Sequence, residues 1–143
     1  MNKKMISILL LVMMIALCTP AYAEDGPTRI YINDQVDGGQ ITADYGRNTE
    51  IGAELWMVSY HEFGTRYPHG KLEMYICNSS YDFRQPNQVY QENETTSLFG
   101  FAYFHIPKWL PRGQYTLLII FRGESWWGGD FARSENDQHL TVR

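Results

Sequence analysis

Apolar and polar residues alternate with a period of two along much of the chain. Between positions 49 and 58, Ile51, Ala53, Leu55 and Met57 fall on one side, and Glu50, Gly52, Glu54 and Trp56 on the other. Successive strand side chains point to opposite faces, so this pattern predicts a half-buried β-strand and excludes a helix. Residues 71–77 repeat it, with Leu72, Met74 and Ile76 inward and Lys71, Glu73 and Tyr75 outward. Over 96–106, Ala102, Phe104 and Ile106 share a face. Residues 114–122 are almost continuously apolar, which predicts a central strand covered on both faces. Shorter strands are predicted at 28–32 and 40–43, and a closing strand at 138–143. Turns fall at Asp37-Gly38-Gly39, at Asp44-Tyr45-Gly46 and at a corner over 107–113.

Three stretches break the alternation. Residues 59–69 read as a long loop, and 123–129 as a glycine-rich loop carrying Trp126 and Trp127. Residues 78–95 are polar and contain Pro86, leaving room for at most one short edge strand near 88–91. No segment sustains a helical period. Seven or so short strands at this spacing predict an all-β sandwich.

The first 23 residues read differently. Lys3 and Lys4 precede an apolar run from Met5 to Leu17, and Ala21-Tyr22-Ala23 has the small-x-small form of a cleavage site. This is the pattern of a secretory signal peptide, with the mature chain expected to begin at Glu24. The run is shorter than the ~20 apolar residues a membrane span needs, so no membrane insertion is expected after cleavage. Bulky Leu17 before Cys18 argues against a lipid anchor. Residues 24–143 then form one domain, long enough for a real core.

Signal removal changes the charge. The whole chain carries 12 Lys and Arg against 16 Asp and Glu. Loss of Lys3 and Lys4 takes the net charge from −4 to −6. Phosphate contacts need basic patches, so no nucleic-acid partner is expected. Cys77 is the one cysteine after residue 23, so the fold must hold by packing, with Cys77 acting as a small strand hydrophobe.

The segment Leu110-Pro-Arg-Gly113-Gln-Tyr115-Thr, followed by an apolar strand ending Phe121-Arg122-Gly123, resembles the bacterial and archaeal Ig-like domains of surface adhesins. Trp127-Gly128 and Leu140-Thr141-Val142 continue the likeness, and Gly70-Lys-Leu72 and Gly100-Phe-Ala102-Tyr-Phe104 extend it upstream. The resemblance covers roughly residues 40–143. It implies an Ig-like Greek-key β-sandwich of about seven strands and an interaction module. The chain departs from the family in having a single copy, and in longer, more aromatic segments at 59–69 and 78–95. A tyrosine just after a tight glycine turn can return its hydroxyl to the turn backbone, so Gly113 and Tyr115 are assigned a structural corner.

In Ig-like topology the loops 59–69 and 123–131 lie at one end. Together they would gather Tyr60, Phe63, Tyr67, Trp126, Trp127 and Phe131 near a tip, with His61, Glu62, Arg66, Glu124 and Asp130 beside them. A small sandwich end cannot bury six large rings, and an exposed aromatic patch marks a contact site. The expected partner is a glycan or an envelope or extracellular protein.

Other chemistry is weaker. His61 and His69 lack a zinc spacing, and neither Glu124 nor Asp130 belongs to a calcium loop, so no metal or cofactor is expected. Ser125 is not in a strand-to-helix elbow, and Cys77 and His105 have nothing to bring them together. The expectation is a secreted or envelope-associated binding module and not an enzyme. A secreted protease inhibitor, or a structural subunit joined through strand edges, stays open as an alternative. Asn78-Ser-Ser80 and Asn93-Glu-Thr95 are glycosylation sequons.

Overall fold

The structure, a computed structural model, describes residues 27–58, 65–78, 87–126 and 129–143, with residue 126 described in its backbone alone. Among these residues every regular element is a strand. In chain order they are β1 (Thr28–Ile32), β2 (Gly39–Ala43), β3 (Thr49–Met57), β4 (Thr65–Arg66), β5 (Lys71–Asn78) and β6 (Gln88–Thr95). Then follow β7 (Phe101–Ile106), β8 (Gly113–Phe121), β9 (Glu124–Trp126), β10 (Gly129–Phe131) and β11 (Ser134–Val142).

The strands form two principal sheets and a hairpin. In the first sheet β3 is central. β1 runs along one edge, and β7 and then β4 along the other. The second sheet has the order β2-β11-β8-β5-β6. All its pairs are antiparallel except β2 with β11, which is parallel. β9 and β10 make the hairpin. The chain changes sheet repeatedly, from β1 to β2, β2 to β3, β4 to β5, β6 to β7 and β7 to β8.

The period-two faces meet in one core. β1 contributes Ile30 and Ile32, β3 Ile51, Ala53 and Leu55, and β7 Ala102, Phe104 and Ile106. Leu72, Met74 and Ile76 of β5, with Leu117, Ile119 and Phe121 of β8, close it from the second sheet. Burying each large apolar side chain gains about 1.5–3 kcal/mol, which makes this face-to-face contact the main source of stability. From Leu117 to Phe121, β8 is covered on both sides, as its apolar run predicts. Its alternate residues Leu118 and Ile120 form a second buried cluster with Tyr75 and Cys77 on the outer face of the sheet. Tyr75, expected to point to solvent, is therefore buried there.

Two buried amides tie the sheets together, although the Gln138 Oε1 has no partner among the described residues. Asn136 and Gln138 of β11 are 1% and 0% exposed. The Asn136 amide donates to the carbonyls of Ile30 (2.9 Å) and Gln35 (3.0 Å) and accepts from the Gln138 amide at 2.7 Å. Gln138 also donates to the Val36 carbonyl at 2.8 Å. Strand β11 is thereby bonded to the first sheet and to the turn after it, a link that apolar packing alone would leave free to slide. The Tyr115 hydroxyl donates to the carbonyl of Pro111 at 2.7 Å, closing the corner before β8.

Several elements differ from the sequence expectation. The polar stretch 78–95 holds the eight-residue β6, paired with β5 from Lys71↔Thr95 to Cys77↔Gln88 across a bulge at Ile76/Cys77. An edge strand needs one backbone partner and tolerates charge, so its polarity concealed it. Asn93 is an exposed residue of that strand, not of a loop. The segment 59–69 contains β4, and the glycine-rich loop 123–129 carries β9 and the start of β10. The closing strand starts four residues early, at Ser134. Eleven strands are thus present among the described residues, three of them of two or three residues.

Candidate functional site

The antiparallel register of β5, β6 and β8 sets three strand ends side by side. Lys71 opposes Thr95, and Leu72 opposes Phe121. Where β8 stops, Gly123 turns the chain with φ +88° into β9. A Cβ at this glycine would lie 2.6 Å from the carbonyl oxygen of Phe131, so only glycine lets the hairpin approach this closely.

These ends border a cleft of about 830 Å³. Its walls carry His69, Lys71, Glu73, Glu94, Arg122 and Glu124, with Asn93, Thr95 and Ser125 between them. The charged groups are held from behind. Glu124 accepts from the Tyr67 hydroxyl at 3.0 Å and from the backbone N–H of Lys71 at 3.3 Å. Glu73 pairs with the Arg122 guanidinium and accepts from the Tyr75 hydroxyl at 2.9 Å. Buried Thr96 fixes the turn that carries His69, accepting from the N–H of Gly70 (2.7 Å) and donating to the carbonyl of Tyr67 (2.9 Å). The cleft thus presents Glu73, Arg122 and Glu124 in hydrogen-bonded positions, with His69, Lys71 and Glu94 beside them, a surface of donors and acceptors.

The ion pair leaves a titration signature. Burial pushes the Glu73 carboxyl up. The hydrogen bonds from Arg122 and Tyr75 and the charges of Arg122 and Arg133 outweigh it, bringing the group below its ordinary value. Burial and the contact with Glu73 raise the Tyr75 phenol, and the bonds to Glu73 and Tyr75 raise the Arg122 guanidinium. A carboxyl depressed in the native state contributes stability above its ordinary value near 4.5, lost as pH falls through the lower native value. Glu73→Gln is therefore expected to lose stability at neutral pH and to match the native chain in acid. The Arg122 side chain is 58% exposed, so the difference should stay under about 1 kcal/mol. Urea unfolding of both chains at about pH 6 and about pH 3 measures it.

The structure brings two of the expected tip aromatics together, in the core and not at a contact surface. Tyr67 and Phe131 are 1% and 4% exposed. Their ring centroids lie 4.9 Å apart, and Tyr67 also packs 5.2 Å from Phe121. The cause is a long-range backbone bond, Tyr67 N–H to the carbonyl of Leu55 at 2.7 Å, which draws the segment beneath the sheet end. Trp126 lies on β9, its backbone opposite Gly129. Its side chain, together with Tyr60, His61, Glu62, Phe63 and Trp127, lies outside the described residues. Arg66 turns to the outer face of the first sheet, stacked 4.1 Å from the Phe101 centroid and 5.0 Å from that of Trp56.

Lys71, Glu73, Glu94 and Arg122 escaped sequence reasoning as a group. Three occupy outward or terminal strand positions and Arg122 follows the end of β8, places that read as a solvated face, and the signal joining them is strand register. Among the described residues no three His, Cys, Asp or Glu side chains converge as metal ligands would.

No family profile and no curated protein matches the chain. Among solved structures it is similar to a β-glucosidase from Listeria innocua determined with glucose, at 8% identity and a TM-score of 0.38. That match covers 81% of this chain, which spans 16% of the glucosidase.

Proposed function

We propose that the chain is an Ig-like Greek-key β-sandwich, secreted or envelope-associated, that acts by binding a glycan or an extracellular protein and not by catalysis. The strand order supports the fold: β1, β3 and β7 face β2, β11, β8, β5 and β6, and the first strand pair divides between the sheets. The observation that carries the function is the cleft at the β5, β8 and β9 end. Its charged groups stand on strands or on turns pinned by buried partners, so a ligand meets donors and acceptors already in place.

A glycan array probed with the full chain tests this reading, beside Lys71→Ala and a Trp126→Ala/Trp127→Ala double variant of unchanged thermal stability. Binding weakened tenfold or more by either variant is expected. Binding that both leave unchanged would move recognition away from this end.

A further inference from the structure

The opposite end of the molecule carries a second constellation. β8 begins at Gly113 and ends at Phe121, so its two ends lie roughly 27 Å apart. At the N-terminal end of β8, Tyr45, Trp109, Pro111 and Arg112 line an open cleft of about 410 Å³. Tyr45 and Trp109 are 52% and 56% exposed, and they share one cleft where other exposed rings such as Phe99 and Tyr103 line none of those described.

These rings are exposed yet positioned. The turn carrying Tyr45 is bonded to the corner carrying Trp109, through Gly46 N–H to the carbonyl of Lys108 at 3.0 Å. Tyr45 N–H donates to the carbonyl of Arg143 at 2.9 Å. Leu110, 1% exposed, anchors the corner in the core, and the Tyr115 hydroxyl locks Pro111. Trp109 stands edge-on to Tyr90 at 5.9 Å, and the Arg112 guanidinium lies 5.7 Å from the Tyr45 ring.

Charge singles out this end again. Arg47, Lys108 and Arg112 are all exposed, and none pairs with a carboxylate among the described residues. The nearby Asp44 is engaged by Arg143 at 2.9 Å. A positive pole on a chain of net charge −4 is a local attraction set against a general repulsion of anions.

We propose that this cleft binds an acidic saccharide, with a uronate-type sugar ring laid on Tyr45 and Trp109 and its carboxylate on Arg112. Aromatic faces take the apolar C–H face of a pyranose, and a guanidinium meets a carboxylate with two parallel hydrogen bonds. Arg47 and Lys108 stand on the two turns that frame the cleft and meet the charges of neighbouring sugars. A concave site between two rigid turns selects a sugar ring over the flat surface of a lipid bilayer.

Binding of the full chain to immobilised polygalacturonate tests this, with the methyl-esterified polymer and vesicles of phosphatidylglycerol as parallel probes. The expected result is binding to polygalacturonate that falls tenfold or more in Trp109→Ala and in Arg112→Gln, weakens with salt, and is lost on the ester. Both side chains are exposed, and unchanged thermal unfolding of each variant verifies the fold. Lys71→Ala, at the other end, should leave this binding intact, which separates it from the cleft beside β9. The proposal is overturned by no binding to polygalacturonate, by equal binding to the ester, by binding that both variants retain, or by binding confined to the vesicles.

Discussion

Replacing Tyr67 with alanine is expected to lower the unfolding free energy by about 4 kcal/mol, whereas Tyr67→Phe should cost only about 1 kcal/mol. The ring is 1% exposed and wedged between Phe121 and Phe131, so its removal leaves a cavity where the two sheets and the β9–β10 hairpin converge. Cavity formation adds to the lost transfer free energy, since the surrounding strands relax only in part. The phenylalanine variant keeps the ring packing and loses the bond from the hydroxyl to Glu124. Urea denaturation of the three chains measures both differences. Equal stability of all three would return Tyr67 to the surface as a contact residue. The alanine variant should also disturb ligand binding beside β9, because Glu124 loses one of its two donors and keeps the Lys71 N–H.

Asn136→Ala is expected to cost about 3 kcal/mol or more, although the substitution makes the core more apolar. The side chain satisfies two carbonyls, of Ile30 and Gln35, and the amide of Gln138, inside a site 1% exposed. Alanine removes these three hydrogen bonds at once, each worth about 0.5–1.5 kcal/mol, while the Gln35 carbonyl keeps the Ile32 N–H and the Gln138 amide keeps the Val36 carbonyl. Asn136→Asp should be worse at neutral pH, since a carboxylate cannot donate to a carbonyl and its charge would be buried. Part of that excess should return in acid, where the group is neutral. A loss below about 1 kcal/mol for Asn136→Ala in urea unfolding would mean that the carbonyls find other donors.

Sequence reading recovered the elements whose chemistry is one-sided. β3, β5 and β7 alternate apolar with polar, and β8 is continuously apolar and buried on both faces from Leu117 to Phe121. It missed the full length of β6, whose outward Glu and Asn residues look like a loop because an edge strand has little to hide. It also assigned Tyr67 and Phe131 to a contact surface. An aromatic residue in an irregular segment has no neighbours in sequence to show which way it faces. In Tyr67 the decision lies with Leu55, twelve positions away, whose carbonyl binds its N–H. The two clefts were illegible for the same reason. Lys71 and Glu73 lie some fifty residues from Arg122 in sequence, and Tyr45 lies still further from Trp109. Residue types alone carry no signal that long-range pairing will join them.

The parallel pairing of β2 with β11 bears on how the molecule responds to mechanical load. Five residue pairs, from Gly39↔Gln138 to Ala43↔Val142, join the strands running in the same direction. Tension applied at residue 39 and at residue 142 therefore pulls the two strands lengthwise past each other. The hydrogen bonds along the ladder are loaded together and must fail together, whereas an antiparallel pair held at adjacent ends would peel open one bond at a time. Because β1 precedes β2, a pull entering through the N-terminal flank first meets the antiparallel pairing of β1 with β3, and this ladder takes the load once β1 has come away.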